Sequence, residues 1–212
     1  MEFLNENIPD SAVRRLSAYL RQLEHLAREG VERVSSQQLA SYMKVGAAQV
    51  RRDLTLFGQF GRRGVGYEVV DLIEQLRRIL GTHVPWNVVV VGAGALSSAL
   101  ARYDGLGRRG FHIVAAFDVD PDKVGDRLGE VEVRAMNELE AQITLHEVRL
   151  AILAVPEDAA QAAADRLVEA GIEGILNFAP ARLEIPPHVY VNHVDITANL
   201  EQLSFQVSNN RP

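Results

Sequence analysis

The stretch Val88-Val89-Val90-Val91-Gly92-Ala93-Gly94-Ala95-Leu96-Ser97 decides the reading of the longer part of the chain. A run of β-branched residues suits a strand buried on both faces of a parallel sheet. A glycine turn leading straight from such a strand into a helical pattern is the context required of a dinucleotide-binding fingerprint. Gly92 permits the tight turn and Gly94 lets the backbone approach a pyrophosphate. Ala93, Ala95, Leu96 and Ser97 supply amides at the positive end of the following helix. Ser97 stands where the fingerprint has its third glycine. That position mainly serves close packing of helix on strand, so the serine is expected to weaken the fit without abolishing binding. The competing reading is a glycine turn with no ligand.

Outward from this stretch, buried runs alternate with helical patterns. Strands are expected over 113–117, 150–155 and 175–178, with a weaker one over 189–191 and a short extra one over 131–133. Helices are expected over 95–103 and 159–170, the latter stopped by Gly171, and over 196–207 at the end of the chain. The alternation implies a parallel sheet covered on both faces, a Rossmann-type α/β fold. Asp118 ends the second strand 26 residues past Gly92, close to the offset of an acidic ribose ligand. Its carboxylate should accept from both ribose hydroxyls and repel a 2′-phosphate, which favours NAD(H) over NADP(H). Lys123 and Arg127 nearby pull the other way. The terminal helix needs something to pack against.

The N-terminal part reads differently. Val13, Leu16, Leu20, Leu23 and Leu26 recur at helical spacing before Gly30. Ser35-Ser36-Gln37-Gln38 sets a hydroxyl three residues before a glutamine, the capping-box arrangement, and opens a short helix to about Met43. A third helix runs from Ala47 to Phe57, with Val50 and Leu54 on its inner face and Arg51 and Arg52 outward. The glycine-rich segment 58–67 is expected to form a small hairpin, a wing, with Arg62 and Arg63 at its tip. A further amphipathic helix ends at Gly81. This is the pattern of a winged helix-turn-helix whose third helix enters the major groove. Ser35, Ser36, Gln49, Arg51, Arg52, Arg62 and Arg63 are the candidate DNA contacts.

Charge supports the division. The chain carries −6 overall, yet residues 1–82 hold 12 basic and 10 acidic side chains while the rest sums to −8. Between Ser35 and Tyr67 five basic residues face Asp53 alone, the electrostatic footprint of a DNA module. Twenty of the 22 basic residues are arginine, whose planar fork suits phosphate and guanine. With 212 residues, no cysteine and no apolar run near the roughly 18 residues that span a bilayer, neither a disulfide scaffold nor a membrane protein is expected. The start of the chain lacks the pattern of a secretory signal, so a cytoplasmic location is expected. Six histidines are too dispersed for a ligand set, so no metal site is expected. No tyrosine precedes a lysine by four residues, which removes the short-chain dehydrogenase pair. A cofactor fold without room for a substrate suggests sensing.

These residues together resemble the Rex family of redox-sensing transcriptional repressors over essentially the full length. The resemblance rests on Gln49-Val50-Arg51-Arg52-Asp53-Leu54 with Phe57-Gly58, on Arg63-Gly64-Val65-Gly66-Tyr67, on Gly92-Ala93-Gly94, on Phe117-Asp118-Val119-Asp120-Pro121, and on Gly174-Ile175-Leu176-Asn177-Phe178-Ala179-Pro180. It implies a homodimer whose winged helices bind palindromic operator DNA, with NADH and NAD+ competing for the nucleotide domains; NADH releases the DNA and NAD+ permits binding. It further implies that Val155-Pro156 and Asn177-Phe178-Ala179-Pro180 close over the nucleotide. Tyr67 resembles a wing residue near the nucleotide domain. Arg15, Tyr103 and Asp195 resemble a switching triad, in which a charged pair is exchanged for a tyrosine contact. The terminal helix resembles a segment exchanged between dimer partners. Ser97 departs from the family pattern, and so does Ile196, which stands where an aromatic residue is expected.

The expected domains are a winged-helix DNA-binding domain over 1–82, a Rossmann NAD(H)-binding domain over 83–194 and a dimerising helix over 195–212. The expected function is a repressor, not an enzyme. Two alternatives stand beside it: a small NAD-dependent oxidoreductase, and a CoA-binding protein of the succinyl-CoA ligase type, each with an accessory helical domain.

Overall fold

A computed structural model describes residues 8–43, 45–61 and 65–209 of the chain. They form two compact units, one ending at Val84 and the other beginning at Pro85.

The N-terminal unit holds α1 (Asp10–Arg28), β1 (Arg33–Val34), α2 (Ser36–Met43), α3 (Ala47–Thr55), β2 (Tyr67–Glu68) and α4 (Val69–Ile79). The leucine spacing read in the sequence becomes a core in which Leu16, Tyr19, Leu20 and Leu23 of α1 meet Leu39, Val50, Leu54, Leu72 and Leu76. Each such side chain is worth about 1.5 to 3 kcal/mol when fully buried. Gly30 ends α1 as expected. At φ +75° it lets the amides of Gly30 and Val31 close on the carbonyls of Ala27 and Leu26 at 3.1 and 3.0 Å. The tip of the hairpin expected over 58–67 lies outside the described residues. β2 pairs antiparallel with β1, Arg33 opposite Glu68 and Val34 opposite Tyr67, while Phe60 packs toward the helical core. Residues 62–64 lie outside the described residues.

The second unit holds β3 (Trp86–Val91), α5 (Ala95–Ala101), α6 (Asp104–Gly107), β4 (Phe111–Asp118), β5 (Arg127–Leu128) and β6 (Val131–Ala135). A 3-10 turn over Met136–Glu138 leads into α7 (Leu139–Leu145), β7 (Leu150–Leu153), α8 (Glu157–Glu169), β8 (Gly174–Asn177), β9 (Tyr190–His193) and α9 (Ile196–Asn209). The helix expected over 95–103 ends at Ala101, and the extended backbone at Tyr103 (φ −84°, ψ 100°) caps a separate short helix, α6. The sheet order is β5-β6-β4-β3-β7-β8-β9, and every pair is parallel except β5 with β6. Leaving out β5, the strands in chain order run 3-2-1-4-5-6, the doubly wound arrangement whose ligand crevice lies at the reversal between the first and fourth. Here that is the C-terminal ends of β3 and β7. Val89, Val91, Phe117 and Leu153 face one covering layer, and Val88, Val90 and Ile152 the other.

Candidate functional site

The crevice is built by the turn after β3. Gly92 adopts φ +97°, and a Cβ there would fall on the carbonyl oxygen of Ala154 at the end of β7, so only glycine fits. Gly94 is the opposite case: a Cβ would meet nothing within 4 Å, so the turn presents bare backbone to open space. Ser97 is fully buried, and its hydroxyl donates to the carbonyl of Gly92. The side chain that breaks the glycine pattern therefore ties the first turn of α5 back to the loop.

Asp118 lies 7% exposed at the end of β4. Its carboxylate accepts from the amides of Ala93 at 2.7 Å and Asp120 at 2.9 Å, and from Lys123 Nζ at 3.0 Å. Burial alone would raise its pKa; the two amides and the ammonium outweigh it and hold the carboxyl below its ordinary value. Three donors take most of the roughly four acceptor sites of a carboxylate. Asp118 thus clamps the glycine turn to the segment after β4. Beyond it a cleft of about 420 Å³ is lined by Val119, Pro121, Val124 and Met136, apolar side chains that suit a flat ring. Val119 is 80% exposed there.

Of the loops expected to close over a ligand, Val155 packs into the core and Pro156 starts α8. Asn177 is a strut. It is 1% exposed, accepts from the amide of Ala179 at 2.9 Å, and donates to the carbonyls of Ala179 and Ala181 at 3.2 and 3.1 Å. It shapes the turn that carries Phe178, Ala179 and Pro180. Its Nδ2 also lies 3.0 Å from Nδ1 of His193.

In the N-terminal unit, the capping box forms as read. The Gln38 amide donates to Ser35 Oγ at 3.1 Å and the Ser35 amide to Gln38 Oε1 at 2.9 Å. Arg51 and Arg52 point outward from α3, and Arg51 Nη1 donates to Ser36 Oγ at 2.9 Å. Ser36 thereby accepts from the arginine and keeps its own proton for another acceptor. Both side chains line a cavity of about 800 Å³ between α2, α3 and the segment through Tyr67. Tyr67 is half-buried, and its pKa is raised by burial against the opposing charge of Arg51. Arg62 and Arg63 lie outside the described residues.

Of the three residues of the expected triad, Arg15 and Asp195 each have a hydrogen-bond partner within their own unit. Arg15 forms a two-pronged ion pair with Asp53, Nε and Nη2 at 2.6 and 2.7 Å. Asp195 accepts from the amide of Ala198 at 2.9 Å and so caps α9. Tyr103 is 62% exposed, and its ring lies where a Cβ on Gly105 would be. The group that sequence reasoning missed is Asp53. It is 1% exposed and also accepts from Tyr19 at 2.8 Å and Gln49 at 2.7 Å. A signal was there: an acid sharing the apolar face of Val50 and Leu54 needs donors, and Gln49 stands one helical turn before it. Among the described residues, no group of three His, Asp or Glu could hold a metal, and no helix is long and apolar enough to cross a membrane.

Comparison with known proteins bears on both units. A family model described as a CoA binding domain matches residues 83–181, and one described as a putative DNA-binding protein N-terminus matches residues 7–55. A redox-sensing transcriptional repressor Rex from Carboxydothermus hydrogenoformans is 49% identical over 94% of this chain and 96% of its own length. Another, from Desulforamulus reducens, is 48% identical over 95% and 96%. The Rex-family repressor RSP, solved with β-NAD+ and operator DNA, superposes with a TM-score of 0.91 at 37% identity, covering 97% of this chain and 94% of that one.

Proposed function

The chain belongs to the Rex family of redox-sensing transcriptional repressors, and from that premise we propose how its residues divide the work. The protein is a DNA-binding repressor, not an enzyme, that reads the balance of NADH and NAD+. The full-length likeness to a repressor solved with NAD+ and operator DNA carries this reading. A reading as an oxidoreductase or CoA-binding protein leaves the basic α3 face without a purpose.

The glycine turn 92–97 takes the pyrophosphate, on the bare backbone at Gly94. Asp118 takes the ribose, and the cleft at Val119 takes the adenine. Val155, Pro156 and the turn 177–180 lie toward the nicotinamide. The nicotinamide supplies the redox signal; the protein's part is to bind its two forms unequally. In the N-terminal unit, Arg51 with Ser36 and the amide end of α2 at Ser35 holds the DNA backbone, while Gln49, Arg52, Arg62 and Arg63 complete the interface. Arg15, Tyr67, Tyr103 and Asp195 are assigned to the switch.

Ile196, Leu200, Leu203, Phe205 and Val207 of α9 are all more than half exposed. An apolar helix left this bare calls for a second copy of the chain, and we assign α9 to a homodimer in which it is exchanged. A protein regulating chromosomal DNA in a bacterial family works in the cytoplasm.

A ligand shifts a conformational equilibrium only by its differential affinity for the two states, so NADH and operator must weaken each other reciprocally. The test is a gel shift on DNA from upstream of the protein's own coding region, with NADH or NAD+ added. A complex that forms without nucleotide and is released by NADH is expected. A complex indifferent to both nucleotides would overturn the reading.

A further inference from the structure

We propose that Gln49 reads an adenine in the operator, and that the buried Asp53 is the positioning residue that holds Gln49 in its reading orientation. This rests on the operator-binding reading above and deepens it.

The argument begins with the saturation of Asp53. Its Oδ1 accepts from Arg15 Nη2 and Gln49 Nε2, both at 2.7 Å, and its Oδ2 from Arg15 Nε at 2.6 Å and the Tyr19 hydroxyl at 2.8 Å. All the acceptor sites of a carboxylate are filled. A charge this buried is costly to leave unpaired, so the four donors hold one geometry together. Burial would raise the pKa of Asp53; Arg15, Tyr19 and Gln49 outweigh it, and the group stays ionised.

The consequence falls on Gln49. The nitrogen and oxygen of a glutamine amide differ only in what they can bond to, and here the carboxylate settles which is which. A flipped amide would set Oε1 against Oδ1 of Asp53, acceptor against acceptor. The amide is therefore fixed with one N–H on Asp53. Among the described residues, no other side-chain partner takes its second N–H or its Oε1. An adjacent donor and acceptor on one planar amide match adenine in the major groove, N7 accepting and the N6 amino group donating.

Gln49 also stands at the right place on α3. Val50, Asp53 and Leu54 form the buried face, Ala48, Arg51, Arg52 and Thr55 the exposed one, and Gln49 is half-buried at the border between them. A reader at this border has its stem held by the protein and its tip beside the arginines. Arginines read guanine or hold phosphate but do not distinguish adenine, so Gln49 adds a specificity the basic face lacks.

The experiment selects binding sites from a randomised DNA duplex with the full-length protein, then replaces each selected base pair in turn. For the wild type, one A·T pair should cost roughly 5- to 150-fold when replaced, the range for a two-bond contact. Gln49→Ala should become indifferent at that pair alone. Asp53→Asn should cut discrimination at the same pair to below about threefold, with the other positions still read and NADH still bound.

A selected site read equally well by Gln49→Ala at every position overturns the role of Gln49. Undiminished adenine discrimination in Asp53→Asn overturns the role of Asp53. If that variant does not fold, the wild type decides by NMR: one Nε2 proton of Gln49 should be shifted downfield and protected from solvent, and two freely exchanging protons would overturn the proposal. A wild type that selects no sequence removes the operator reading and this proposal with it; the other failures leave operator binding standing.

Discussion

Asp53 and Asp118 are the same residue in nearly the same circumstance, 1% and 7% exposed and both held below their ordinary pKa, yet they are built in opposite ways. Asp118 is held chiefly by backbone amides, at Ala93 and Asp120, with Lys123 added from the solvent side. Asp53 is held by side chains alone, from Arg15, Tyr19 and Gln49. A site made of backbone depends on the path of the chain and survives most substitutions. A site made of side chains depends on each donor, and its charge is stranded when one leaves. The nucleotide unit should therefore fail when its backbone is forced, and the DNA unit when a single partner is removed.

The largest effect is expected from Gly92→Ala. The new methyl meets the Ala154 carbonyl, and the residue is forced to keep φ +97°; strain and overpacking each cost about 1 to 3 kcal/mol. We expect the nucleotide unit to lose about 4 kcal/mol, followed by the fluorescence of the chain's one tryptophan, Trp86, during urea unfolding, and NADH binding to vanish in calorimetry. An unaltered midpoint would break the claim that this site is set by the backbone.

Removing the cation from each aspartate sharpens the contrast. Arg15→Ala leaves a buried carboxylate with two neutral donors and should cost about 3 kcal/mol, somewhat less than a fully enclosed pair because Arg15 is itself 28% exposed. Lys123→Ala leaves Asp118 with both amides, and the lysine is 40% exposed, so under about 1 kcal/mol is expected. Thermal unfolding of the two variants measures the difference. Equal losses would mean that the amides do not carry Asp118.

The same contrast explains what could be read in the sequence. The glycine turn, the parallel strands and the place of Asp118 at a strand end were legible because hydrophobic runs and fixed offsets encode a backbone path. The capping box at Ser35 was legible for the same reason, being local. Asp53 on the apolar face of α3 signalled a need for donors, but two of them were not legible, since Tyr19 and Arg15 lie 34 and 38 residues away and meet it only when α1 packs on α3. The family resemblance placed Arg15 in a switch but did not reveal that its guanidinium is committed to Asp53. What alternation over 58–67 did not name is the neighbour of β2 within the described residues, Arg33–Val34, which lies upstream of the helix-turn-helix.

Acidification should separate the aspartates from the rest of the protein. Both have folded pKa values below the unfolded value of about 3.9, so the unfolded chain binds more protons just below that pH. Stability from these groups is fully present above about pH 4 and is lost as pH falls through the folded values. Followed by Trp86 fluorescence, Asp118→Asn should flatten the acid-induced loss in the nucleotide unit by about 1 to 2 kcal/mol, the worth of hydrogen bonds to a charged group. An acid profile identical to the wild type would show that Asp118 is not ionised by its amides.

The smallest effect is expected at Ser97, and it separates two accounts of that residue. As a departure from the glycine pattern, the serine should hinder the approach of the pyrophosphate, and Ser97→Gly should then tighten NADH binding. The geometry argues otherwise. The side chain is fully buried, and its hydroxyl donates to the Gly92 carbonyl. Glycine at this position would remove one buried hydrogen bond and add backbone freedom to a short helix, each worth about 1 kcal/mol against the fold. Ser97→Gly should therefore lower the stability of the nucleotide unit by about 1 kcal/mol, after the neighbouring amides relax, while NADH affinity stays within about threefold. Because the loop would lose its tie to α5 without losing its shape, the backbone of the turn would still present itself to the phosphates. A tenfold gain in NADH affinity with unchanged stability would show instead that the serine obstructs the site.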